Sequence, residues 1–247
     1  MISIITPAYN ASQFISNTIE SVIAQTYKDW EMLIVDDCSS DNTMEIVQDY
    51  AKRDTRIRLI QNAENTGAAE ARNVALRQAK GHYIAFLDSD DMWKPGKLEK
   101  QLSFMQGNDY AFTFTGYECV NEKADKVLYN VNAKEAFSYR KFLRNTAIGT
   151  LTVMINRDKT GFFEMPRIRS SHDMALWLDI MKRGYKAYGL NECLAQYRLV
   201  EGSNTAGKLK AAKDVWRVYR DIEKLNLMYS CFNFTGYAVN AILKRMK

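Results

Sequence analysis

A chain of 247 residues and 28.4 kDa, 47% apolar and 26% charged, has room for one large domain and the composition of a globular protein, which excludes disordered, collagenous and disulfide-dense classes. Its net charge of +5 is confined to residues 201–247, where nine Lys/Arg stand against four Asp/Glu; residues 1–200 are neutral and lack the basic footprint of a nucleic-acid-binding body. Four separated cysteines, two histidines and no CxxC pair argue against a zinc site or a disulfide framework, and with no signal-peptide pattern they predict a cytoplasmic protein.

The apolar run at residues 2–6, closed by Pro7, predicts a strand, and apolar positions at helical spacing over 14–23 predict a helix. Residues 32–35 form a second buried-strand run, followed by Asp36, Asp37 and a loop rich in helix-capping residues. A helix over 44–50 and a strand over 57–60 come next. Asn65, Thr66 and Gly67 then turn the chain into a helix over 68–79, and residues 82–87 make a fourth strand ending in Asp88-Ser89-Asp90-Asp91. This alternation predicts an α/β fold, a mostly parallel twisted sheet with helices on both faces.

Beyond residue 115 the periodicity weakens. A hairpin is expected over 117–129 around Asn121, Glu122 and Lys123, a short helix over 134–143, and a strand over 151–155. A helix over 170–181 is stopped by Gly184, and 186–197 holds one or two short strands. A long helix is expected over 208–227, with another running to residue 243. With no linker or repeat visible, the organisation is one α/β domain over 1–205, divided near residue 115, and a helical extension over 206–247.

In open parallel sheets, ligands bind beyond the carboxyl ends of the strands. Here those ends carry Thr6-Pro7-Ala8-Tyr9-Asn10, Asp36-Asp37 and Asp88-Ser89-Asp90-Asp91. Carboxylates gathered on one edge repel one another unless a cation or donor groups compensate. Oxygen ligands without His or Cys suit magnesium or manganese, which complete their shells with substrate phosphates. Taken alone, Asp36-Asp37 reads as an N-cap loop, and Asn-Thr-Gly is a common turn without the spacing of a phosphate-binding glycine motif. Three acids in four positions after an apolar strand exceed any capping need.

The segments Ile-Ile-Thr-Pro-Ala-Tyr-Asn, Val-Asp-Asp-Cys-Ser-Ser-Asp-Asn-Thr, Asn-Thr-Gly-Ala-Ala-Glu-Ala-Arg-Asn and Phe-Leu-Asp-Ser-Asp-Asp, in this order, resemble the family 2 glycosyltransferases, which have the GT-A fold. The resemblance covers roughly residues 1–205. It implies that 1–115 bind a nucleotide-sugar, most often UDP-linked, and that 116–205 bind the acceptor. Thr6 and Tyr9 would flank the base, with Pro7 and Ser89 also in the donor site; Asp37 would accept the base N–H, and Arg72 would lie near the base or phosphates. Asp90 would bind a manganese or magnesium ion bridging the diphosphate, and Asp88 would contact the ribose or the metal's water shell.

An inverting transfer also needs a base across the sugar from the diphosphate, to take the acceptor hydroxyl's proton. Ser170-Ser171-His172-Asp173-Met174-Ala175-Leu176-Trp177 matches the family's acidic motif and implies Asp173 as that base, although a first-turn acid is favoured by the helix dipole in any case. His172 is the rival base, read here as a neighbour. One departure stands out: where relatives often carry Tyr-Arg-x-His, this chain reads Tyr197-Arg198-Leu199-Val200-Glu201. Arg198 can still neutralise phosphate charge. The third metal ligand is then water, Glu201 or the diphosphate alone, and the loop over 201–207 is a candidate to close over the donor.

Residues 225–243 are free of charge over nineteen positions, near the ~20 that cross a bilayer. Asn226, Ser230, Asn233, Tyr237, Asn240 and Lys244, at alternating steps of four and three, instead predict an amphipathic helix with one polar stripe. Its apolar face (Leu225, Met228, Phe232, Val239, Ile242) is expected to pack on the domain or to insert shallowly at an anionic membrane, assisted by the neighbouring Lys/Arg, including Lys244, Arg245 and Lys247. The combined expectation is a metal-dependent inverting glycosyltransferase that moves one sugar to a hydroxyl of a glycan acceptor, lipid-linked, in surface-polysaccharide synthesis. The alternatives are a nucleotidyltransferase, whose Gly-rich basic loop after the first strand is replaced here by Pro7-Ala8-Tyr9-Asn10-Ala11, and a non-catalytic nucleotide-sugar-binding protein.

Overall fold

A computed structural model of the chain describes residues 1–200 and 208–243. The first apolar run becomes β1 (Ile2–Ala8), buried at every position because helices cover both faces of the sheet. Then come α1 (Ile15–Ile23), β2 (Trp30–Asp36), α2 (Thr43–Arg53), β3 (Ile57–Gln61), α3 (Ala68–Gln78) and β4 (Tyr83–Phe86). The middle of the chain forms β5 (Met92–Trp93), α4 (Lys97–Gly107), β6 (Phe112–Val120), β7 (Val127–Val131), β8 (Ala136–Phe137) and α5 (Tyr139–Arg144). A 3-10 turn (Thr150–Thr152), β9 (Met154–Asn156), α6 (Arg157–Thr160), α7 (His172–Lys182) and β10 (Ala187–Arg198) follow. The described chain ends with α8 (Lys208–Arg217), a π-helical turn (Val218–Ile222) and α9 (Leu227–Leu243).

The sheet runs β3-β2-β1-β4-β9-β6-β10-β5, with β7 paired to β6 and β8 to β10. β3, β2, β1 and β4 are mutually parallel, as are β6 and β10, while β9 is antiparallel between β4 and β6. The expected mostly parallel α/β sheet is therefore present. Register does the rest: Ala8 sits beside Asp36, and Ile5 beside Phe86, so the residues after β1, β2 and β4 emerge on one edge.

One face of the sheet packs against α1 and α4, through Ile15, Ile19, Leu98, Leu102 and Met105. The other packs against α3 and α7, where Trp177 meets Phe86 edge-on with ring centroids 5.5 Å apart. The 134–143 segment splits into β8 and the start of α5, and 186–197 becomes one strand, bulged between Leu190 and Ala195.

Two expectations for the last segment change. The helix over 208–227 is broken: Val218 and Tyr219 are buried in the core, the Tyr219 hydroxyl donates to the Leu143 carbonyl, and Lys224 adopts a positive φ of 51° that redirects the chain into α9. The polar stripe of α9 also faces inward. Ser230 and Asn233 are fully buried, Arg144 Nε donates to Asn233 Oδ1 (3.2 Å), and Asn240 Nδ2 donates to the Arg144 carbonyl (3.0 Å). The physical reason is the end of α5, whose carbonyl and guanidinium need polar partners. Gly236 lets the helices approach, since a Cβ there would stand 3.1 Å from the Arg144 side chain. Leu225 still packs on the core, whereas Met228, Phe232 and Val239 are exposed. The Ile242 side chain, Lys244, Arg245 and Lys247, and Glu201 with the 201–207 loop, lie outside what is described.

Candidate active site

The edge formed by β1, β2 and α3 comes first. Thr6 is fully buried in β1, and its hydroxyl has no hydrogen-bond partner; Pro7 beside it is buried too. Asn10, at φ 49°, takes a hydrogen bond from Ser40 N on its Oδ1 (2.8 Å) and donates its own N–H to Ser39 Oγ (2.9 Å). This lashes the β1 and β2 loops together and leaves Tyr9 55% exposed at the mouth.

Asp37 is buried and accepts four hydrogen bonds. Its Oδ1 accepts from Asn62 Nδ2 (2.8 Å), Thr66 N (3.0 Å) and Thr66 Oγ1 (3.1 Å), and its Oδ2 accepts from Gly67 N (2.7 Å). Burial acts to raise its pKa, but these bonds override it and hold the carboxyl below its ordinary range. Gly67, at φ 85°, makes the turn possible and opens α3. In the structure Asp37 therefore pins the Asn-Thr-Gly turn, three of its four hydrogen bonds falling on Oδ1 and one on Oδ2.

The loop after β4 is held from behind. Thr18 Oγ1 donates to the carbonyls of Ser89 (2.9 Å) and Asp91 (2.8 Å), and Arg198 N donates to Asp91 Oδ1 (2.9 Å). The Arg198 guanidinium donates to the carbonyls of Asp90 (2.7 Å from Nε) and Glu122 and stacks 4.8 Å over the Phe14 ring. Only 4% exposed, it stands as a brace of the acidic loop.

Asp90 pays electrostatically for this crowding: burial, then the charge of Asp88, push its pKa up to about 6, and burial followed by Asp90 and Asp88 raises Asp91 as well. Burial and mutual repulsion both disfavour charge on these carboxyls, a positive ion would offset that, and oxygen donors suit magnesium or manganese. Among the described residues no cluster of three or more His, Cys, Asp or Glu side chains could hold one. Asp90, with Asp88 beside it, would hold such an ion, which would then draw its other ligands from outside the chain.

Arg72 of α3 joins this loop to the start of α7. Its guanidinium pairs with Asp88 Oδ1 and lies 2.7 Å from His172 Nε2. A guanidinium only donates, so His172 accepts on Nε2 and carries its proton on Nδ1. Burial, then the charge of Arg72, lower the histidine's pKa in keeping with that neutral form.

Ser171, left-handed at φ 57°, swings the chain into α7 and presents Asp173 in its first turn. Asp173 Oδ1 accepts from Met174 N (2.8 Å), and its Oδ2 accepts from Thr150 Oγ1 (2.9 Å). Thr150 belongs to no sequence motif; it lies in the 3-10 turn whose Leu151 carbonyl accepts from Trp93 Nε1 (2.8 Å), just past the acidic loop. Asp88, Arg72, His172 and Asp173 thus form one contiguous path between the two sides of the cleft. Tyr9 and Ser89 lie on the loops after β1 and β4, Asp37 pins the turn that opens α3, and Arg198 braces the acidic loop.

Comparison with known proteins identifies the family and the fold. The family profile described as Glycosyl transferase family 2 matches residues 3–165. The chain is 51% identical over 246 residues to the putative teichuronic acid biosynthesis glycosyltransferase TuaG of Bacillus subtilis, covering 100% of this chain and 98% of that one. It is 39% identical over 245 residues to the Escherichia coli UDP-Glc:alpha-D-GlcNAc-diphosphoundecaprenol beta-1,3-glucosyltransferase WfgD, covering 99% and 94%. Among solved structures, S. aureus TarS 1-349 in complex with UDP-GlcNAc superposes with a TM-score of 0.73 at 21% identity, over 96% of this chain and 71% of that one. The mannosyltransferase PcManGT from Pyrobaculum calidifontis, in complex with GDP-Man and Mn2+, gives 0.69 at 17% identity, over 99% and 75%. At these identities the likeness is one of fold, and the fold is GT-A.

Proposed function

The chain belongs to glycosyl transferase family 2, and from that membership and the site geometry we propose that it moves one sugar from a UDP-linked donor to a hydroxyl of a lipid-linked glycan. The transfer inverts the anomeric carbon and serves bacterial surface-polysaccharide synthesis on the cytoplasmic side of the membrane. Residues 1–115 hold the donor, 116–205 the acceptor, and 206–247 form a helical extension. The acceptor class is taken from the WfgD relative, whose name specifies a diphosphoundecaprenol-linked GlcNAc.

The observation that carries the reading is the juxtaposition of Asp88 with Asp173 through Arg72 and His172. Thr6, Pro7, Tyr9 and Asp37 border the base end of the donor, while Arg72, Asp88, Ser89 and Arg198 border or brace its diphosphate end. When bound at Asp90, a divalent ion supplies positive charge where the leaving diphosphate becomes more negative.

The chain's own work is positioning and proton transfer. Asp173 takes the proton of the acceptor hydroxyl as its oxygen bonds to the anomeric carbon and the bond to the diphosphate breaks. Thr150 and the Met174 amide fix the carboxylate's orientation. His172 is the poorer base because its Nε2 lone pair faces Arg72. Incubation with a panel of nucleotide-sugars, with and without manganese, tests the proposal: slow hydrolysis of one UDP-sugar, stimulated by metal, is expected. No turnover of or affinity for any nucleotide-sugar would refute it.

A further inference from the structure

Because α9 spends its polar stripe on α5, it leaves a lengthwise apolar strip facing outward. Met228, Phe232, Thr235 and Val239, separated by steps of four, three and four, share one face. Met228 is 86% exposed, Leu227 58%, Phe232 57% and Val239 49%. From Met228 to Val239 the strip runs eleven helical steps, about 17 Å along this 17-residue helix. Aligned large apolar side chains on one helix are far from the scattered exposure of an ordinary surface. Among the described residues no helix is long and apolar enough to cross a membrane, so the strip is a face to lie on something.

We propose that this face seats the protein on an anionic phospholipid surface, its apolar side chains entering the headgroup boundary. Charge selects this occupant over a second copy of the chain. All of the net +5 falls within 201–247, so pairing two copies through α9 would oppose like charges, whereas anionic lipid neutralises them. One basic group touches the strip, the Arg144 guanidinium 4.2 Å over the Phe232 ring, and Lys213, Arg217 and Lys224 are exposed in the segment that precedes it.

α9 is also tied to the segment that leads to Asp173. Arg144, which α9 grips from Asn233 and Asn240, precedes by six residues the Thr150 that bonds Asp173. For its purpose, though not for its physics, the proposal rests on the lipid-linked acceptor above: a seated α9 brings the cleft to a hydroxyl held near the bilayer.

The test is flotation of the full chain with vesicles of phosphatidylcholine alone or with one-quarter phosphatidylglycerol, at low and high salt. The protein should float with the anionic vesicles, less so at high salt but not zero, because apolar burial is unscreened. The double variant Met228→Glu/Phe232→Glu should lose roughly tenfold or more of that binding. Both positions are exposed, and unchanged circular dichroism and UDP affinity would show an intact fold. Sedimentation should find the parent protein monomeric. Equal flotation of parent and variant, no flotation of a parent that still binds UDP, or a dimer dissolved by the same substitutions would each overturn the proposal. UDP-sugar turnover without vesicles reports separately on the transfer reading.

Discussion

The parallel half of the sheet and the helical region beyond α5 build function in different ways. In the first, backbone pairing decides which side chains meet: once Ile5 lies beside Phe86 and Ala8 beside Asp36, the acidic and polar residues after β1, β2 and β4 can only share an edge. In the second, contacts between separate elements decide. Thr150 reaches Asp173 across 23 residues, and Arg144 reaches Asn233 across 89. If the division is functional as well, variants in the first region should change donor binding, and variants in the second should change transfer alone.

The largest effect is expected at Asp90. Asp90→Ala should lower turnover by ~10³ or more and weaken UDP binding chiefly when manganese or magnesium is present. Metal-stimulated activity near the parent's would remove Asp90 from the site. Asp173→Asn comes next: transfer should fall by ~10² to 10⁴, while UDP affinity measured by calorimetry stays unchanged. His172→Gln should be milder, since its Nε2 is engaged by Arg72. The reverse ranking would hand the proton to His172, and loss of UDP affinity in Asp173→Asn would erase the contrast between the two regions.

Much of the first region was legible in the sequence because apolar runs and caps report directly on strands and their ends. β1 and α1 to β4 fall where the pattern puts them. α4 is the exception: Leu98, Leu102 and Met105 have helical spacing, but the buried positions Lys97 and Gln101 beside them are polar and interrupt the apolar stripe. Thr150 carried no signal; a hydroxyl becomes informative only when the 3-10 turn brings it to Asp173. The stripe on α9 was legible as a periodicity, but its direction was not. Periodicity shows that two faces differ, and only the exposed end of α5, with Arg144, shows that the polar face is the one turned inward.

Thr150 sharpens the comparison further. Thr150→Val removes the hydroxyl that orients Asp173 and should lower kcat by ~10-fold, the cost of one hydrogen bond to a charged group, with donor KM unchanged. Thr150→Ser should restore most of the rate. A Val variant with the parent's kcat, or a Ser variant as slow as Val, would show that this contact does not serve transfer.

The smallest effect belongs to Asp37 and is one of stability. In Asp37→Asn the amide oxygen can keep the Asn62 and Thr66 bonds, but its NH₂ then opposes the Gly67 N–H that Asp37 Oδ2 accepts. One lost charge-assisted bond should cost about 1–3 kcal/mol at neutral pH, seen as a lower urea midpoint. The sign with pH follows from the lowered carboxyl. Folding holds Asp37 ionised below its ordinary value of 3.8, so its contribution is complete above that value and is lost as pH falls through the lower folded value. The gap between parent and variant should therefore be widest near neutrality and narrow below about pH 4. A gap constant down to about pH 2 would mean that the turn opening α3 is held by shape rather than by the carboxylate's charge, and the edge after β2 would owe less to electrostatics than the acidic loop beside it.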